Sequence, residues 1–122
     1  MKRDFTDYLE DILNAMEEVE TFTQGMTIDD FVKDKKTINA VIRSFEVMGE
    51  TAKRIPDEIK QRYKDIPWKR VAGMRNKLIH EYFGVDTEIL LVVIKEELPP
   101  LKPLVKKILD KMEEKYKNQV AF

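Results

Sequence analysis

The sequence predicts an all-α fold: an antiparallel helical bundle of about four long helices plus short helices. Three observations lead there. Apolar residues recur at intervals of three and four through most of the 122 residues, the spacing that gives a helix one apolar stripe. No stretch alternates apolar and polar with period two over a useful length, so no sheet is expected. The chain is long enough for one core, and several such stripes bury one another when helices pack side by side. A single domain over residues 1–122 follows.

The elements can be justified in order. Phe5, Tyr8, Leu9, Ile12, Met16, Val19 and Phe22 form the first stripe, which Gly25 ends. Thr27 starts a short segment with Asp30 three residues on, a variant capping box. Asp34 suits the N-cap of a second long helix, whose apolar face is Ile38, Val41, Ile42, Phe45, Met48 and Ala52. Gly49 sits beside that face, either to admit a close neighbour or incidentally. Pro56 suits the first position of a short helix over 56–63. Asp65-Ile66-Pro67-Trp68 starts another, with Trp68, Val71, Ala72, Leu78, Ile79 and Tyr82 on one side and Gly84 at its end. Asp86 caps the next helix, which begins with Ile89, Leu90, Val92 and Val93. Pro99 and Pro100 should interrupt or kink it, since neither donates a backbone hydrogen bond. The stripe resumes with Leu101, Leu104, Val105, Ile108, Leu109 and Met112, and the tail after Lys117 is expected to fray.

Composition narrows the function classes. Hydrophobic residues make up 43% and charged residues 37% of the chain, the balance of a soluble globular protein. No apolar run approaches the ~20 residues of a membrane span, and Met1-Lys2-Arg3-Asp4 lacks a signal peptide's apolar stretch. The absence of cysteine removes disulfides, thiolate metal sites and cysteine nucleophiles, and fits a reducing cytoplasm. No carboxylates or histidines have metal-ligand spacing, so no metal or other cofactor is assigned.

Net charge is −1, but it is unevenly spread. Residues 1–50 carry 6 Lys+Arg against 12 Asp+Glu, whereas residues 53–80 carry 9 against three. A basic third in a near-neutral chain can draw a polyanion to one region, although a charge run is also what a solvated helix surface looks like.

That basic third holds Arg75-Asn-Lys-Leu-Ile-His-Glu-Tyr82, which includes the only histidine of the chain. Arginine holds a phosphate bidentately at any physiological pH. Histidine exchanges a proton near neutrality, and tyrosine offers a hydroxyl that can orient a substrate or be modified. On a helix Arg75 falls inside the apolar stripe, between Val71 and Leu78/Ile79, with Tyr82 almost in line and Asn76 stacked on His80. A charge there is costly unless it is paired, snorkels outward or lines a cleft. Glu46 and Glu50 are candidate partners for the structural reading. Arg75 and His80 lie ~140° apart on an ideal helix. They could converge within one subunit, or two copies of the motif could face each other across a homodimer axis; the dimer is favoured.

The Arg-x-x-x-x-His-x-Tyr spacing of Arg75, His80 and Tyr82, with polar Asn76, resembles the signature of HEPN ribonucleases. Ala40-Val-Ile-Arg-Ser-Phe-Glu-Val-Met-Gly-Glu50, Ile66-Pro67-Trp68, Met74–Tyr82 and Leu98-Pro99 resemble the HepT-like toxins of that group. The similarity covers nearly the whole chain; Thr51 departs from an alanine common in the family.

The resemblance implies an all-helical HEPN homodimer or higher homo-oligomer. It implies the toxin of a type VII toxin–antitoxin system, a metal-independent endoribonuclease acting on RNA. The implied partner is an MntA-like nucleotidyltransferase antitoxin that transfers AMP to the motif tyrosine, here Tyr82. Arg75 and His80 then stand as catalytic residues and Asn76 and Tyr82 as supporting ones. Two other readings are compatible with the same residues: a noncatalytic helical RNA- or partner-binding module, and an RNA-binding protein that sequesters without cutting.

Overall fold

Helix α1 spans Phe5–Thr23, α2 Ile28–Lys33, α3 Lys35–Arg54 and α4 Asp57–Arg62. Helix α5 is described over 68–73, α6 spans Thr87–Glu96 and α7 Leu98–Val120. The computed structural model describes residues 5–73 and 87–120, the side chains at 89 and 115–120 excepted. Every regular element among the described residues is a helix, as the stripes predict.

The local signals act where they are written. Thr27 accepts from the Asp30 backbone N–H at 3.1 Å, and the Asp30 carboxylate accepts from the Thr27 N–H at 3.1 Å, so the capping box of α2 is complete. Asp34 caps α3, accepting from the Thr37 N–H at 3.0 Å and from its hydroxyl at 2.7 Å. These bonds favour the carboxylate, led by the Thr37 hydroxyl, and hold the Asp34 carboxyl below its ordinary value. Gly25 takes a φ of +76°, the left-handed conformation that lets the chain turn after α1.

Packing centres on α1. It lies mainly against α3 and also along α7, while α6 packs on α7 and α2 bridges α3 and α6. The core between them includes Leu9, Ile12, Met16, Val19, Phe31, Val41, Phe45, Met48, Leu91, Leu98 and Val105, each almost wholly withdrawn from solvent. Ser44, buried on α3, lies 3.3 Å from the Glu18 carboxylate of α1. Lys102 on α7 reaches Glu20 at 3.4 Å and Glu17 at 3.9 Å on α1.

Several sequence expectations are corrected. Phe22 is 40% exposed, and Thr23 takes the inward place, its hydroxyl donating to the Val19 carbonyl at 2.8 Å. The spacing 12, 16, 19, 23 follows the helical period, whereas Phe22 sits a step of ~100° behind Thr23. On α6 the inward residues are Leu90, Leu91 and Ile94, and Val92 is 46% exposed. Pro56 is the N-cap of α4 with ψ 144°, so the helix begins one residue later than expected. Its carbonyl still accepts from Ile59 and Lys60. The break before the prolines falls at Glu97, and Pro99 and Pro100 occupy the first turn of α7, where a missing N–H has no intrahelical acceptor to lose. Pro103 lies inside α7, which continues through it. Helix α7 extends to Val120; after Pro103 it meets neither proline nor glycine.

Candidate functional site

The four sequence-nominated residues, Arg75, Asn76, His80 and Tyr82, lie outside the described residues, as do Gly84 and Asp86. What the structure describes is the platform from which that segment departs. Pro67 opens α5, its carbonyl accepting from Arg70 and Val71 at 3.0 Å each. Trp68 and Val71 turn inward and are buried. The Trp68 indole N–H donates to the Tyr63 carbonyl at 3.1 Å, tying α5 to the turn after α4. Arg70 forms an ion pair with Glu97, at the junction of α6 and α7. The residues entering the motif segment are therefore anchored on two sides, by an aromatic wedge beneath and a charge pair beside.

Beside that anchor lies a cleft of about 510 Å³ between α4 and the start of α5. Exposed Pro67 supplies its apolar surface, above the buried Ile66 and Trp68. Lys60, Lys64, Lys69 and Arg70 line it against one acid, Asp57. Among the described residues no ion pair engages Lys60, Lys64 or Lys69. A smaller cleft of about 60 Å³ shares Ile66 and brings in Tyr63, Asp65, Lys107 and Lys111.

The sequence located the cationic excess but not its arrangement. Arg62 belongs to the same basic third, yet it pairs with Glu58 along α4 and does not line the cleft. Lys107 and Lys111 lie outside that third and nevertheless face the same turn. Glu46, one expected partner for Arg75, is engaged by Arg43 at 3.2 Å. Among the described residues no group of His, Asp or Glu is placed to hold a metal ion, and no helix is long and apolar enough to cross a membrane.

The described residues thus place a cationic cleft on the helical segment that leads into the arginine–histidine motif. Comparison with known proteins gives the family. Residues 12–108 match the family described as Ribonuclease HepT-like, and the chain belongs to that family. A Thermococcus cleftensis protein named "Probable ribonuclease HepT" is 49% identical over 88% of this chain and 98% of its own length. A Methanocaldococcus jannaschii protein named "Putative RNase MJ0125" is 45% identical over 93% of this chain and 98% of its own. A relative from Caldanaerobacter subterraneus, named "Putative RNase TTE0752", is 45% identical over 85% of this chain and 93% of its own. No solved structure matches the chain.

Proposed function

We propose that the protein is a metal-independent endoribonuclease, one domain over residues 1–122, and the toxin of a type VII toxin–antitoxin pair. One observation carries the reading: the family match over residues 12–108 encloses the Arg75–Tyr82 motif in full. The ribonuclease names of the relatives support it.

RNA brings its own nucleophile. His80 takes the proton of the 2′-hydroxyl, which attacks the adjacent phosphorus. The P–O5′ bond breaks and the leaving 5′-oxygen is protonated, by His80 or by its counterpart in a second copy of the chain. Such proton transfers contribute ~10²–10⁴-fold. Arg75 holds the phosphate and stabilises the charge that develops on its oxygens. Asn76 fixes the imidazole or a phosphate oxygen, and Tyr82 orients the scissile group. The products end in a 2′,3′-cyclic phosphate and a 5′-hydroxyl. A homodimer brings two motifs into one groove, in the cytoplasm where RNA and the antitoxin meet.

An MntA-like nucleotidyltransferase silences this site by modification. The Tyr82 phenol attacks the α-phosphorus of ATP, an O–P bond forms, pyrophosphate leaves and the phenolic proton passes to a base of the antitoxin. The added anion neutralises the pull of Arg75 on RNA and blocks the groove.

The deciding experiment incubates the full chain with RNA in EDTA and compares His80→Ala. Cleavage by the parent protein with cyclic-phosphate ends, lost in His80→Ala at unchanged circular dichroism, is the expected result. RNA bound but uncut by both proteins would instead identify a sequestering or scaffolding role.

A further inference from the structure

The cleft between α4 and α5 has a composition that neither the motif nor the core explains. Its surface at Pro67 is apolar, and four cations line it against one acid, in a chain whose net charge is −1. Lys64 and Lys69 are exposed and Lys60 is half-exposed. Asp57 and the Glu97 partner of Arg70 offset part of this charge, and Lys60, Lys64 and Lys69, unpaired among the described residues, leave an excess that attracts a polyanion. The smaller cleft, joined through Ile66, carries the same sign onward to Lys107 and Lys111 of α7.

We propose that this cleft is a second RNA contact of the protein, holding a nucleotide of single-stranded RNA beside the cleaved phosphodiester, with the strand continuing over the 63–67 turn toward Lys107 and Lys111. The proposal rests on the ribonuclease reading above. Chain connectivity ties the two places together. Arg70 lines the cleft and Arg75 follows five residues later, so their Cα atoms are at most about 18 Å apart in any backbone conformation. A strand held at Arg75 is therefore within a few nucleotides' reach of the cleft.

The chemistry favours a single strand. An unpaired base can lie against exposed Pro67 and the alkyl stems of the lysines while the flanking phosphates meet their ammonium groups. A duplex keeps its bases stacked inside and presents only backbone, leaving that apolar surface unused. Arg70 is already committed to Glu97, so Lys60, Lys64 and Lys69 supply the cationic contacts at this cleft.

The test measures binding and leaves cleavage aside. Fluorescence anisotropy follows a labelled 2′-O-methyl RNA 12-mer, which lacks the nucleophilic hydroxyl, across a salt series with the full chain. The triple variant Lys60→Gln/Lys64→Gln/Lys69→Gln should weaken binding at least about tenfold near 0.1 M salt. It should also make the slope of log K against log salt shallower by about 2, three single-strand contacts at ~0.7 each. Lys33→Gln/Lys35→Gln/Lys36→Gln, which removes as much charge at the α2–α3 corner, should leave both nearly unchanged. Unchanged affinity and slope in the cleft variant would overturn the proposal. So would equal losses in the two triple variants. Intact RNA binding with lost binding to the proposed nucleotidyltransferase antitoxin would overturn it in favour of a protein partner. The 12-mer cannot be cut, so these outcomes are separate from the His80→Ala cleavage result, which bears on the ribonuclease reading alone.

Discussion

At the residue scale, Arg75 and Asp34 make contrasting predictions. The proposed mechanism uses a planar fork that grips two phosphate oxygens, and lysine offers only a point charge. Arg75→Lys should therefore lower cleavage by about 10² or more, the scale of losing an oriented donor to a developing oxyanion, with unchanged circular dichroism. Near-parental cleavage by that variant would remove the bidentate grip from the mechanism. Asp34 concerns stability. Its carboxyl is lowered by the Thr37 hydroxyl, then by the Thr37 N–H, with a smaller part from Lys36. A depressed acid stabilises the fold fully above its unfolded value of 3.8 and loses that contribution as pH falls through the lower folded value. Asp34→Ser, which can still cap α3 but carries no charge, should melt below the parent at pH 6. The difference should shrink as the pH drops beneath 3.8, followed by thermal melts. A constant gap at all pH values would mean the charge of Asp34 contributes nothing. Thr27, Asp30 and Asp34 were legible in advance because a cap joins residues three apart, a relation the sequence states directly.

At the element scale, the phase of a stripe matters more than its presence. Helix α6 reads Ile89-Leu-Leu-Val-Val-Ile94, six apolar residues in a row, and such a run does not say which face turns inward. Packing against α7 selects Leu90, Leu91 and Ile94 and leaves Val92 outside. Leu91→Ala should cost about 2–5 kcal/mol in urea unfolding, the range for a buried leucine that leaves a cavity. Val92→Ala should stay within about 0.5 kcal/mol, as an exposed site does. Equal costs would mean that α6 is rotated from the position described. Helix α5 shows the same division. Its proline start was readable from Ile66-Pro67-Trp68, but the clamp that holds it is not local. Glu97 lies 27 residues beyond Arg70 and reaches it only because α6 returns the chain to α5.

At the scale of the whole molecule, a proposed homodimer would give the chemistry a second imidazole. A single subunit carries one histidine, while the reaction moves one proton off the 2′-hydroxyl and another onto the 5′-oxygen. A twofold assembly would supply an imidazole for each. Sedimentation at micromolar concentration should therefore give about twice the 14.4 kDa of the chain; a strict monomer that still cleaves RNA would return both transfers to a single histidine. The cationic cleft belongs to this scale as well. The excess of Lys and Arg over 53–80 was visible in the sequence, but its members part company in space: Arg62 turns to Glu58, whereas Lys60, Lys64 and Lys69 converge with residues on both sides of Pro67.

The amino-acid order determined the helical class, the caps, the turn at Gly25 and the motif from Arg75 to Tyr82, because each rests on neighbours within a turn or two. Tertiary structure alone decided that Leu91 faces inward and Val92 outward, that Glu97 holds Arg70, and that lysines from α4, α5 and α7 flank one turn. Those relations join residues tens of positions apart, and their distances follow from how the helices pack rather than from spacing along the chain.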